Sequence, residues 1–436
     1  DSEDPDDSED PDDSEDPDVP PAGLTVELTN ATAEEIDGSA GDDTFSGTYG
    51  DGAGPYTFHT GDILDGLGGI DRLVITTGAE ASTPPDNLWL NKTNFEEIFF
   101  NSTGAGAQSI TTGAAFEAAF AANGVDITVQ TLLGAIDVTM TTFTGATTIE
   151  TTTTGAGAHT ITTGSGTSTV TALSIEAGAQ TINGVGLTTV DATINGAGDQ
   201  TIGTINGGNL VSVEATILAA GSQTITSTSD SDVTIVADAA AGAQTITTAG
   251  GDDQVTTSGA ATESATISTG AGNDVISAGL GNDLITGGTG ADTMTGGGGV
   301  DEFEFGTDGS IVGTALDIIT DFNSAGADVL SFGVAVALPG IDATAAVAGT
   351  NVQTDAGGLI TFHADDNSLA LKVAAIQEDA ELDGLSNTAA MFVDSGNTYV
   401  YFTGAQTDNS VDDQMIQLTG ISTLTEITGG ATVTIA

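Results

Sequence analysis

From Thr269 to Glu304 the chain repeats a nine-residue unit four times without a gap. Each unit has Gly at its fourth position (Gly272, Gly281, Gly290, Gly299) and Asp at its sixth (Asp274, Asp283, Asp292, Asp301). Each has a large apolar residue at its eighth (Ile276, Ile285, Met294, Phe303). Glycine lets the backbone turn through positive φ and expose its carbonyls without a Cβ in the way. The three residues after each Asp, such as Val275-Ile276-Ser277, form a short strand whose middle side chain points inward. Two units then make one coil of a solenoid, which stacks Asp274 over Asp292 and Asp283 over Asp301. Between stacked turns lies a cage of carboxylate and carbonyl oxygens suited to a hard cation.

The pattern G-G-x-G-x-D-x-U-x resembles the calcium-binding β-roll repeat of RTX proteins. Calcium takes six to eight oxygen ligands at about 2.3–2.6 Å, whereas magnesium demands a tighter octahedron. The resemblance implies several Ca2+ ions held around the four Asp and four Gly residues above, with Asn273 and Asn282 beside them. It also implies export through a one-step type I channel on an uncleaved C-terminal signal, from a Gram-negative bacterium to the cell surface or medium.

The charge balance narrows the partners. Against 63 acidic residues stand 3 Lys and Arg, for a net charge of −60. Nucleic acid and anionic membranes are bound through Lys and Arg, so neither is an expected partner. Such self-repulsion opposes compaction unless cations neutralise it. Cysteine is absent, which removes disulfide and thiol chemistry and leaves the compartment open. No apolar run approaches the roughly 20 residues of a membrane helix, and no basic-then-apolar leader is visible from Asp1 onward.

Five segments are expected. Residues 1–21 open with three copies of Asp-Ser-Glu-Asp-Pro-Asp, an extended acidic tail that serves as a solvating spacer or as a calcium-collecting or docking segment. Residues 22–102 form a first calcium-type region. Gly38 to Ser46 and Gly66 to Val74 each fit the nonapeptide and offer Asp43 and Asp71, with Asp62 and Asp65 nearby. Leu73-Val74-Ile75 followed by Asn94-Phe95-Glu96-Glu97-Ile98 resembles units of bacterial surface-layer proteins built as β-solenoids. Residues 114–123, with Phe116 and Phe120 four apart, are expected to form the single short helix of the first three-quarters of the chain.

Residues 103–268 repeat at about 20 residues. A motif recurs at Gln108, His159, Gln180, Gln200, Gln223 and Gln244, each followed two residues later by Ile. Second apolar strand positions fall about halfway between, at Val170, Val190, Val213, Val233 and Val255. Each coil therefore carries two strands. Aligning Gln244 with Asp274 puts an amide where the array has a carboxylate, so the middle is the same architecture with its metal position neutralised. Amides can bridge adjacent coils by hydrogen bonds, and Asp253 restores the carboxylate just before the array. Outward Thr-x-Thr pairs, as at Thr224 and Thr226, resemble the ice-binding face of some antifreeze solenoids. Threonine is also simply a good strand residue, and the ladder fails at Asn183 and Gly203.

The array proper spans 269–305, and residues 306–436 form a C-terminal β-rich cap, which by the RTX resemblance also carries the export signal. Asp317 to Phe322 and Ala327 to Phe332 resemble the segment that closes RTX β-rolls, with Asp317 and Asp321 completing the last calcium turns. No zinc helix, nucleophile elbow or phosphate loop is present in the sequence, and almost every stretch is already assigned to coil, turn or cap. The expectation is an all-β, elongated parallel β-solenoid. As a non-enzyme it would self-assemble into a surface layer or extracellular filament, a homo-oligomer or polymer with cell-surface polysaccharide as a further partner. The alternatives are the stalk of an RTX adhesin that binds cells, polysaccharide or ice, and third an RTX-bearing hydrolase.

Overall fold

The computed structural model describes residues 23–50, 55–78, 81–204, 210–260, 263–306, 315–323, 327–340, 346–349, 352–379, 385–404, 413–421 and 427–435, with Val312 and Leu382. The acidic repeat of residues 1–18 lies outside them.

The chain winds as a parallel β-solenoid. One strand of each coil joins a long sheet that runs from Thr25–Glu27 through Val125–Thr131 and Thr234–Ala241 to Asp317–Ile319. The other strand joins a second sheet, from Gln108–Thr111 to Val329–Ser331. In the first coils its place is taken by the short strands Glu35–Asp37, Ile63–Asp65 and Lys92–Thr93, which pair among themselves. Within the four-unit array coils are spaced by 18 residues, two nonapeptides each: Val275 pairs with Thr293, and Thr266 with Leu284.

Alternation explains which side chains enter. Val125–Thr131 buries every second residue, as a pleated strand with one wet face requires. Two apolar rows result. In the second sheet Ile161, Ile182, Ile202, Ile225, Ile246, Ile267, Ile285 and Phe303 align in register and are buried. In the first the row is Ile149, Val170, Val190, Val213, Ile235, Val255, Ile276 and Met294. Ile235 thus holds the position expected for Val233, which is buried just before its strand. The two rows meet in one continuous core. The first sheet runs through the expected boundary at 102/103, and both sheets run through that at 268/269, where strand Ala265–Ala271 crosses it.

Among the described residues, the stretch up to 305 contains one α-helix, α1 (Ala114–Phe120). Its Phe116 and Phe120 rings sit 5.2 and 5.9 Å from Trp89. At the far end the strand direction reverses. Gln414–Leu418 extends the first sheet beside Asp317–Ile319 and is followed by the antiparallel strands Asn397–Thr403 and Thr388–Asp394. Val433–Ile435 lies antiparallel on Val329–Ser331. A second helix, α2 (Leu369–Gln377), packs with these strands over a separate small core. No helix among the described residues is long and apolar enough to cross a membrane.

Candidate metal centre

Each nonapeptide Asp occupies the corner immediately before its strand, and the corners stack. Asp274 Oδ1 accepts the main-chain N–H of Asp253 at 2.7 Å, Asp292 Oδ1 that of Asp274 at 2.9 Å, and Asp317 Oδ1 that of Asp292 at 2.8 Å. Asp253 Oδ1 continues the column upward on Val233 N–H. At the opposite corner Asp283 accepts from Ala265, Asp301 from Asp283 and Asp328 from Asp301. Both expected stacks are present, and each carboxylate ties its own coil to the one before it.

The second oxygen of these carboxylates is the chemically important one. Oδ2 of Asp253, Asp274, Asp283 and Asp292 is buried without a hydrogen-bond partner, as is that of Asp71. The glycines leave the space open: a Cβ on Gly287 would lie 2.1 Å from Asp292 Oδ2, and one on Gly296 2.3 Å from Asp301 Oδ2. At the fourth position φ is positive, as at Gly290 (+129°), and a Cβ there would lie 1.7 Å from the Gly272 carbonyl oxygen. Among the described residues no three carboxylate or imidazole side chains converge. A cation at these corners would therefore draw its remaining ligands from main-chain carbonyls, the donor set that calcium accepts.

Electrostatics agree with that fit. Burial pushes Asp292 and Asp301 up to about 6, with neighbouring carboxylates adding to the shift. Asp71, Asp253, Asp274 and Asp283 are raised in the same direction, again chiefly by burial. An ionised carboxylate taken out of water without a counter-charge is costly, and a bound cation removes that cost.

Not every expected ligand faces such a cage. Asn273 and Asn282 are exposed, and their side-chain oxygens accept the N–H groups of Ala291 and Val300 one coil on. Asn273 continues a second ladder, built from Asp232 on Asp252 N–H and Asp252 on Asn273 N–H, and Asn282 makes the equivalent bond at the opposite corner. This ladder runs opposite to the sixth-position ladder, so each coil is clamped in both directions. Asp321 caps the end of its coil, with both oxygens on Gly296 and Gly297 N–H. Asp62 likewise takes two N–H groups, from Glu34 and His59. Asp65 Oδ1 accepts from Leu67 N–H and the Asn94 amide. In the first coils Asp71 Oδ1 accepts Asp43 N–H at 2.7 Å, while Asp43 is engaged by Leu24 and Ser39. Burial raises the Asp43 carboxyl, but those hydrogen bonds outweigh it and its pKa is lowered overall.

Sequence reasoning passed over Glu96, which accepts Asp71 N–H, and Asp328. Both carry a legible signal, an acid two residues before a buried apolar side chain (Glu96 before Ile98, Asp328 before Leu330), without the glycines that make the full motif recognisable.

The amide column is present, and it occupies one of the two corners. Gln244 pairs with Ala265, which stands beside Asp283. The glutamines therefore continue the Asp283–Asp301 column rather than that of Asp274. Gln200 Nε2 donates to Gln180 Oε1 at 3.0 Å, Gln223 to Gln200 at 2.9 Å and Gln244 to Gln223 at 2.7 Å, all buried. His159 stands next in register, with Nδ1 2.7 Å from Thr151 Oγ1. Before it the column is interrupted by Ile136.

The family model for the RTX calcium-binding nonapeptide repeat matches residues 29–51 and 268–303, in four copies. No curated protein matches the chain. The matched segments contain Asp43 and the Asp274–Asp301 array, while the Asp71 turn, outside them, shows the same free buried oxygen. Stacked corners, orphaned carboxylate oxygens and this match agree: the chain carries repeats of the RTX calcium-binding nonapeptide type near both ends of its solenoid.

Proposed function

We propose that this is a secreted structural protein, not an enzyme, which folds on meeting calcium outside the cell and assembles there into a surface layer or filament. The observation that carries the reading is the stacking of buried, uncompensated carboxylate oxygens in Asp253, Asp274, Asp283 and Asp292, which makes the metal-free coils electrostatically unfavourable. Asp301 and Asp317 share their columns, and Asp71 is the corresponding ligand of the first coils. Sites of extracellular type bind calcium with dissociation constants of roughly 10⁻⁴–10⁻³ M, so they would stay empty in the cytosol and fill outside. Binding to the folded state alone stabilises it by mass action.

Assembly is supported by shape and charge. A solenoid presents edge strands at its ends, here Thr25–Glu27, which pairs on one side only among the described residues. Calcium would also screen a net charge of −60. The test is a calcium titration of the purified chain, followed by circular dichroism, light scattering and electron microscopy. Coupled folding and growth of regular polymers is the expected result. A calcium-folded monomer that persists at high concentration would sink the assembly half of the reading.

A second reading, the stalk of an adhesin, is favoured by one observation. Outward on the second sheet Thr160, Thr181, Thr201, Thr224, Thr245 and Thr266 form an uncharged column, in a chain otherwise dense in acid. Neutral polysaccharide or ice could lie on such a face. Retention on insoluble polysaccharide or shaping of ice crystals by the monomer would favour it.

A further inference from the structure

Only three residues of the chain are Lys or Arg, and one of them stands at a corner lined by carbonyl oxygens. Arg72 pairs with Glu97 on the surface and Lys372 with Asp394 in the cap. Lys92, by contrast, is fully buried at 0 % exposure. Its Nζ donates to three main-chain carbonyls, those of Asp62 at 2.7 Å, His59 at 3.1 Å and Leu90 at 3.3 Å. It also lies 5.4 Å from the centre of the Phe58 ring, within reach of a cation–π attraction.

The position of this ammonium in the coil is informative. Asp62 stands immediately before strand Ile63–Asp65, as Asp283 stands before Leu284–Thr289. Its Oδ1 accepts the N–H of Glu34 on the preceding coil, as Asp283 Oδ1 accepts that of Ala265. The two corners differ in the second oxygen. Asp283 Oδ2 is orphaned, whereas Asp62 Oδ2 is taken by His59 N–H at 2.7 Å. The carbonyls that this arrangement turns inward, of His59 and Asp62, are the ones that meet Lys92.

We propose that the corner enclosed by His59, Asp62 and Leu90 is a cation cage of the solenoid whose cation is the chain's own Lys92 ammonium, a tethered replacement for a metal ion. Three carbonyl dipoles and an aromatic face form a shell for one small positive charge. Lys delivers a compact point charge with three donors on a flexible stem, which matches three acceptors converging from two loops. This corner is therefore closed without external metal, unlike its equivalents at Asp283 and Asp301. The inference stands whether or not the molecule assembles, since it concerns one coil and is read without polymer formation.

The test uses the full chain in saturating calcium, with hydrogen exchange read on strands Arg72–Thr77 and Glu97–Ser102. Lys92→Ala should speed exchange there by roughly tenfold or more, as local opening becomes easier, and leave strands Gln223–Thr226 and Gln244–Thr247 unchanged. Ethylammonium chloride, which supplies the missing head group, should restore protection where sodium chloride at equal concentration does not. Lys92→Met fills the volume without the charge and should remain fast-exchanging with or without ethylammonium. Wild-type protection in Lys92→Met, or failure of ethylammonium to rescue Lys92→Ala, would show that the side chain fills space and that the cage is not a cation site. Loss of calcium-induced polymerisation in the wild type would bear on assembly alone and leave this result untouched.

Discussion

At Asp292 one carboxylate oxygen holds a neighbouring coil and the other is buried with nothing to bind, so its charge works against the metal-free fold. Its pKa is raised to about 6 in the folded state against about 3.9 when unfolded. The folded protein therefore binds more protons across that window, and this group's contribution falls as pH rises from about 4 through 6. In chelator the native chain should melt higher at pH 4.5 than at pH 7 by more than Asp292→Asn does, the gap amounting to up to about 3 kcal/mol. The same variant should weaken calcium-dependent stabilisation at pH 7. His159 has the opposite sign. Burial lowers its pKa to about 4, so its contribution is complete above about 6.5 and is lost as pH falls towards 4. His159→Gln, which would prolong the amide column, should remove that acid sensitivity, again up to about 3 kcal/mol, visible as a flatter melting profile between pH 6.5 and 4. Gly290→Ala sets a Cβ 1.7 Å from the Gly272 oxygen at a φ of +129°. Calcium-induced folding of the array should be abolished or need far more calcium, as measured by circular dichroism.

The strands divide into two regimes by what occupies their corners. Coils that carry Asp283 and Asp301 place buried carboxylates at their corners, whereas those of Gln180–Gly184, Gln200–Thr204, Gln223–Thr226 and Gln244–Thr247 are joined by buried amides. Gln223→Leu would leave Gln200 Oε1 without its donor, at a cost of about 1–3 kcal/mol, and take from Gln244 Nε2 one of its two acceptors, the Ala237 carbonyl remaining. That loss should be equal in calcium and in chelator, which denaturant titration under both conditions would show. Much of this was legible beforehand. The 18-residue coil follows from the nonapeptide period, strand Val275–Ser277 is where the spacing places it, and α1 falls on Phe116 and Phe120. What could not be read was which of two corners each residue enters, because the motif is the same at both. Hence the Gln244 motif matches those of Asp274 and Asp283 equally, although its side chain stacks towards Asp283, and the spacing points to Val233 where Ile235 sits. Oxygens already satisfied by main-chain N–H groups, at Asp62, Asp321, Asn273 and Asn282, were also beyond the sequence, since local turns decide them. Lys92 gave no signal, as a lone Lys next to a strand is ordinarily a solvated one.

The whole molecule joins two ends of different character. On one side the sheets end in Thr25–Glu27 and Glu35–Asp37; on the other, the chain returns about 100 residues later to lay Gln414–Leu418 against Asp317–Ile319 and Val433–Ile435 against Val329–Ser331. A parallel coil closes many residues of loop before its first ladder bond forms, which makes a free coil a poor starting point. The cap hairpins are local and antiparallel, and they present ready-made strands to the last coil. Folding is then seeded: the molecule should zip in one direction, from residue 418 back towards residue 25, each completed turn acting as the template for the one before it. Pulse-labelled hydrogen exchange after calcium addition would reveal this as protection of Thr293–Thr295 before Val125–Thr131. Simultaneous protection of both would mean that the coils nucleate independently.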